Sequence, residues 1–274
     1  MVKEVSQPRY SDWGYVYAML AGIALGIGMF LFGLLSELGN DGAILLYWFG
    51  FLLNYIFFRV KDWLQGSSRE DFYQNHPQAK LHIKLVFFRA ALATGVFVPL
   101  YFMMKYAILS GINTAVINSL ITGSALFTAI LFYFVFDERL SKQHIIGMLF
   151  LTGAAALICF SKEKKEVKST GEVSVIVPVI FALVCCCFYA LNSWVNRVVF
   201  DLKTIPITRF TSDAFFVYAL LLILLSLLWE FYVQSYTWTV VYWGFICSIF
   251  NIFGTVMIAK AIGIQKAGPV QAII

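Results

Sequence analysis

Asparagine, serine, threonine and tyrosine recur at helical spacing inside otherwise apolar runs of this chain, so its chemistry is to be sought there. Tyr189, Asn192 and Asn196 stand at i, i+3 and i+7, on one face of a helix. Ser248, Asn251 and Thr255 repeat that spacing, Thr94 and Tyr101 stand seven apart, and Asn118 with Thr122 makes a shorter stripe. Such side chains are costly in lipid and face other helices or a water-filled cavity. Either they line a cavity and hydrogen-bond a polar solute, or they bond helix to helix, each bond worth about 0.6 kcal/mol. Asn118 and Asn192 are the two favoured for the cavity.

The charged residues offer less. Lys105 and Lys260 lie near the ends of apolar runs, where an ammonium either attracts an anionic group or snorkels to the membrane surface, and snorkelling is preferred. Arg209 and Asp213, one turn apart, are expected to form a fixed intrahelical ion pair, with proton coupling through Asp213 as the alternative. The sequence holds no HExxH, no aspartate-rich lipid-phosphate motif and no Ser/His/Asp set, and His76, His82 and His144 fall in loops or at helix ends. An enzyme is therefore not expected. The five cysteines, Cys159, Cys185, Cys186, Cys187 and Cys247, lack metal-ligand spacing to a histidine and read as buried thiols. No cofactor or metal is expected.

The elements that position these residues follow from composition. With 61% hydrophobic residues and only 13% charged, the 274-residue chain cannot cover a soluble globule with polar surface. A net charge of +5 does not point to nucleic acid, because the basic residues sit in short connections beside apolar runs. The lipid bilayer and a small-molecule solute are the expected partners, and a homodimer is left open. A spanning helix needs roughly 20 apolar residues, and eight such runs are present: 13–35, 42–60, 84–108, 112–136, 143–161, 173–197, 207–230 and 238–262. A ninth begins at about Gly268.

A shift of 154 residues places Ala107-Ile108 on Ala261-Ile262, Val116 on Val270, and Thr94 and Tyr101 on Ser248 and Thr255. A weak internal repeat in a polytopic chain is the usual trace of a transporter built from two halves. The charged run 161–172 divides the chain into a first repeat, 1–160, and a second, 173–274, expected to be incomplete by about 40 residues. Five helices precede that hinge, so the second unit enters the membrane inverted: an all-α polytopic protein of two inverted five-helix repeats. Lysines and arginines in alternate connections set the orientation. Lys3, Arg9, Arg59, Lys61, Arg69, Lys80, Lys84, Arg139, Lys142, Arg197, Lys203, Arg209 and Lys266 fall on one side, and Lys162, Lys164, Lys165 and Lys168 on the other. Thirteen against four puts the N-terminus on the cytoplasmic side. On the first helix, Gly22, Gly26 and Gly33 are expected to admit a neighbouring backbone, and Pro99 to kink the third.

The stretch 113–158 carries a small-residue helix, a turn with Glu138, Leu140 and Ser141, then a helix with Gln143, His144 and Gly147. This resembles the end of the first repeat in EamA-like members of the drug/metabolite transporter superfamily, and the segment FALVCCCFYALNSWVNR, ending at Arg197, looks like the first helix of the second repeat. The proline these proteins often carry in the fourth helix is missing. The resemblance implies a ten-helix fold and transport of a small metabolite by exchange, facilitated diffusion or proton coupling. A receptor or scaffold is the alternative, but it gives no reason for the internal repeat.

Overall fold

The computed structural model describes residues 12–37, 41–66, 77–111, 117, 120–138, 140, 142, 145–150, 153–154, 174–203 and 206–273, and no strand occurs among them. Eight α-helices are labelled here. They are α1 (Trp13–Glu37), α2 (Trp48–Leu64), α3 (Ala79–Leu109), α4 (Ser124–Phe136), α5 (Ile176–Leu202), α6 (Ile207–Tyr232), α7 (Trp238–Ile264) and α8 (Ala267–Ile273). Short 3₁₀ segments, Asp41–Tyr47 and Leu120–Gly123, lead into α2 and α4. Among the described residues six segments are long and apolar enough to cross a membrane: α1, Gly42–Leu64, α3, α5, α6 and α7. The architecture is that of an all-helical, multi-pass membrane protein. Most of the expected helix 143–161 lies outside the described residues, although 145–150 are helical.

Side-chain size explains how α1 sits. Its large residues, Met19, Ile23, Ile27, Phe30 and Leu34, face outward, while Gly14, Ala18, Ala21, Ala24 and Gly28 are buried. Where lipid is as apolar as the protein, burying leucines gains little, and close approach of backbones over small residues gains more. The partner is α7, running antiparallel: Gly14 meets Gln265, Gly254 meets Ala21 and Leu25, and Gly28 meets Cys247 and Asn251. This corrects the sequence expectation, since a Cβ on Gly26 would meet nothing within 4 Å. Gly28 and Gly14, not Gly26, carry the close approach.

Several other pairings build the bundle. The α3 helix packs antiparallel on α5, with Gly95 against Phe188 and Phe102 stacked on Phe181. Antiparallel packing also joins α2 to α6, through Phe51 on Phe215 and Tyr55 on Phe216. Parallel contacts join α3 to α6, where Phe97 meets Tyr218, and α2 to α7, where Gly50 meets Ser248. The helix α4 lies against both α5 and α8.

Two helices are longer than the apolar runs suggested. The α3 helix starts at Ala79 because Ala79, His82, Val86 and Arg89 form a buried face with Lys80 and Lys84 outside. It runs through Pro99 without a break in helix assignment. The α5 helix continues to Leu202, with Val199 buried and Asp201 exposed, and stops at Lys203, whose φ of 54° is left-handed. Cys185, Cys186 and Cys247 are buried as expected, but Cys187 is exposed.

A Cβ on Gly50 would collide with the Ser248 carbonyl, which belongs to the α7 backbone and has no rotamer through which to give way. Gly50→Ala is expected to cost about 1–3 kcal/mol of stability and Gly26→Ala almost nothing, measured by thermal unfolding in detergent.

Candidate functional site

Where the first 3₁₀ segment, α5, α6 and α7 converge, tyrosine and cysteine side chains are buried among phenylalanines. Tyr47 places its hydroxyl 2.9 Å from Cys247 Sγ, and Cys247 Sγ is 3.0 Å from the Gly28 carbonyl. A thiol has one hydrogen. Cys247 donates it to Gly28, so the Tyr47 hydroxyl donates to sulfur, and the two links tie the first 3₁₀ segment, α7 and α1 together. Tyr189 on α5 is close enough to Tyr47 and Tyr218 to interact electrostatically. Among the described residues the buried Tyr218 hydroxyl has no hydrogen-bond partner, and its ring is packed between Phe51 and Phe97. Leaving such a donor unmet costs about 1–3 kcal/mol.

Tyr218 also lines a cavity of about 510 Å³ between α3, α6 and the first 3₁₀ segment. Thr94, Phe97, Tyr101 and Leu222 share its wall, with Trp229 and Tyr232 beyond them toward the end of α6. Its size suits a small organic molecule. Of the sequence candidates, this cavity unites Thr94 and Tyr101. It adds Tyr218, whose only sequence signal was a hydroxyl in the middle of the run 207–230.

The remaining polar stripes resolve differently. Thr94 donates to the Ala90 carbonyl, Asn192 to Phe188, Ser248 to Phe245 and Thr255 to Asn251, so each bonds its own helix three or four residues back. These bonds are neither cavity contacts nor links between helices. Tyr189, Asn192 and Asn251 are half-buried, whereas Asn196 is buried with its Oδ1 unpartnered. Asn118 lies outside the described residues, and of Thr122 only the 3₁₀ backbone is described. Lys105 reaches the Tyr101 hydroxyl at 3.5 Å and lies over its ring, and Lys260 lies over the ring of Tyr17 on α1. Both ammonium groups thus gain an aromatic face.

The charged groups gather at one end of the bundle, the end that holds the start of α1. Of the expected intrahelical pair, Arg209 and Asp213, each residue makes a contact to another helix. Arg209 Nε lies 3.6 Å from Asp62 Oδ2 on α2, and Asp213 Oδ2 lies 3.1 Å from His82 Nε2 on α3. Buried Arg89 donates to Thr211 at 2.8 Å and lies over the rings of Phe210 and Phe215. Arg197, only 3% exposed, pairs with Glu138 at 3.1 Å and donates to the carbonyls of Ile262 and Gly263. Glu138 in turn accepts the Ala267 amide, holding the start of α8. Burial pushes the Glu138 carboxyl above its ordinary range, opposed by Arg197 beside it.

Arg197 is therefore no loop cation, and removing it leaves twelve against four in the orientation count. Arg89 escaped the sequence reading, and His82 and Arg197 entered it only as a histidine in a loop or at a helix end and a basic residue of a connection. A lone arginine five residues into the run 84–108 was the available signal, since such a charge requires a partner. Among the described residues no group of three His, Cys, Asp or Glu is gathered as a metal site.

No protein-family model and no curated protein matches the chain.

Glu138→Ala leaves the buried Arg197 guanidinium with only the half-exposed Asp201 carboxylate and is expected to cost about 3 kcal/mol. Joining it to Arg197→Met should recover most of that loss. A double-mutant cycle on melting temperature in detergent reads both outcomes.

Proposed function

We propose that the chain is an EamA-like secondary-active or facilitative transporter, moving a small polar or amphipathic metabolite by alternating access between two inverted repeats. The carrying observation is the pairing pattern of the helices. Exchanging α1 with α5, α2 with α6, α3 with α7 and α4 with α8 turns the principal pairings into one another. The antiparallel pair α1/α7 becomes the antiparallel pair α5/α3, and the parallel pair α2/α7 becomes the parallel pair α6/α3. Pairs that map onto themselves, such as α2/α6, are antiparallel, as a two-fold axis in the membrane plane requires.

The charge distribution supports the same reading. Asp62 with Arg209, His82 with Asp213 and Glu138 with Arg197 each join a residue before the central hinge to one after it. All three lie at one end of the bundle, which they hold shut. The cavity at Thr94, Tyr101 and Tyr218 lies toward the other end. On the reading from the basic residues, the shut end is cytoplasmic.

The full-length protein in proteoliposomes should carry at least one solute of a metabolite panel with saturable flux above that of empty vesicles. Tyr218→Phe, which removes the unpartnered hydroxyl, should lower flux of a hydrogen-bonding solute about tenfold with little change in melting temperature. No flux for any solute, together with fixed distances between spin labels on α3 and α6, would reject the proposal.

A further inference from the structure

We propose that the cavity beside Tyr218 binds an uncharged single-chain lipid, of the long-chain alcohol class, which enters sideways from the bilayer between α3 and α6. Calling that lipid the transported solute, and limiting it to one chain because a cargo must leave the bilayer whole, rests on the transporter reading. The site for an uncharged hydrocarbon chain does not.

The wall decides the chemistry. No Asp, Glu, Lys, Arg or His side chain lines the cavity, and Lys105, which lies over the Tyr101 ring, is not part of the wall. The Thr94 hydroxyl donates to the Ala90 carbonyl, and Lys105 reaches the Tyr101 hydroxyl. Among the described residues two buried donors on the wall have no acceptor, the Tyr218 hydroxyl and Trp229 Nε1, and the latter packs on Gly42. The rest of the surface is carbon. An ionised metabolite would bury its charge here with nothing on the wall to pair it, and a sugar would leave most of its hydroxyls unmet. A hydrocarbon chain ending in one oxygen matches carbon to carbon and offers Tyr218 an acceptor.

Shape and access agree with that occupant. The lining follows α6 from Tyr218 to Tyr232, about 21 Å of helix, roughly twice the width of a sphere holding the same 510 Å³. A long, narrow molecule fits it better than a compact one. Its inner side is closed by Ile44, Tyr218 and Leu222, all buried, whereas Val98, Leu221 and Leu225 are exposed. These three lie well inside the apolar spans of α3 and α6, where an exposed aliphatic side chain meets lipid tails. The open flank therefore faces hydrocarbon, and an apolar cavity of this kind excludes water. The bound chain runs along Leu222, Leu225 and Leu228 with its oxygen at Tyr218.

The test is photolabelling of the full chain in lipid nanodiscs, with hexadecanol carrying a mid-chain diazirine as the probe. Labels located by mass spectrometry should fall within 94–102 and 218–233, and unlabelled hexadecanol should compete. Leu225→Trp, which fills the open flank, should lower labelling about tenfold. Leu224→Trp, exposed on the same helix but off the wall, should leave it unchanged. Tyr218→Phe should weaken competition by hexadecanol about fivefold and leave that by hexadecane as it was. The label positions in the unaltered chain need no variant to fold. Labels elsewhere, undiminished labelling of a folded Leu225→Trp protein, equal competition by hexadecyl sulfate, whose head is always ionised, or equal labelling by a phosphatidylcholine bearing the same diazirine chain overturns the proposal. Labelling is read without flux. A chain that carries solute but takes no label refutes the lipid site alone, and a labelled chain without flux refutes the transport reading alone.

Discussion

Hydrocarbon offers a side chain neither a hydrogen bond nor a counter-ion, and that constraint organises this molecule from seam to surface. Isoleucine, leucine and phenylalanine can be left outside, because lipid solvates them as well as a core would. Alanine and glycine go inside, where α1 and α7 approach over Ala21, Gly28 and Gly254. Hydroxyls and amides with no nearby partner on another helix fold back onto their own carbonyls, as Thr94, Asn192, Ser248 and Thr255 do. Cys247 goes further, linking Tyr47 to Gly28 so that a tyrosine hydroxyl is satisfied through sulfur.

Under the same constraint, ionisable residues can be buried only in combination. Arg197 is the fullest case: its guanidinium meets the carboxylates of Glu138 and Asp201 and the last carbonyls of α7. Glu138 also holds the first amide of α8. One side-chain pair thus fixes where α7 ends, where α8 begins and how both lie against α4 and α5. The pairs at His82 and Arg209 do the equivalent for α2, α3 and α6. The two ends of the bundle consequently differ in character. At the opposite end, Trp229 packs on Gly42 and the Tyr236 hydroxyl donates to the Gly42 carbonyl.

Much of the fold was legible because it depends on averages over many residues. Six of the eight apolar runs coincide with helices long enough to cross a membrane, the longest helix in the described part of the run 112–136 is the 13-residue α4, and errors at helix ends came from amphipathic turns such as the one holding Lys80 and His82. The site was less legible, because a helical stripe fixes a face but not what lies opposite it. Thr94 and Tyr101 share a cavity wall, while Asn196 and Ser248, equally plausible on spacing, are buried in packing.

By itself, the sequence determined that the chain is built of apolar helices long enough to cross a membrane and where most of them lie. These follow from composition and period, which are local properties of the chain. Only the tertiary structure decided that Arg209 meets Asp62, that Asp213 meets His82 and that Tyr218 keeps an unanswered hydroxyl beside a cavity. Partners more than 100 residues apart are chosen by how helices rotate and cross, and rotation is set by the packing of small residues along seams such as Gly28 on α7.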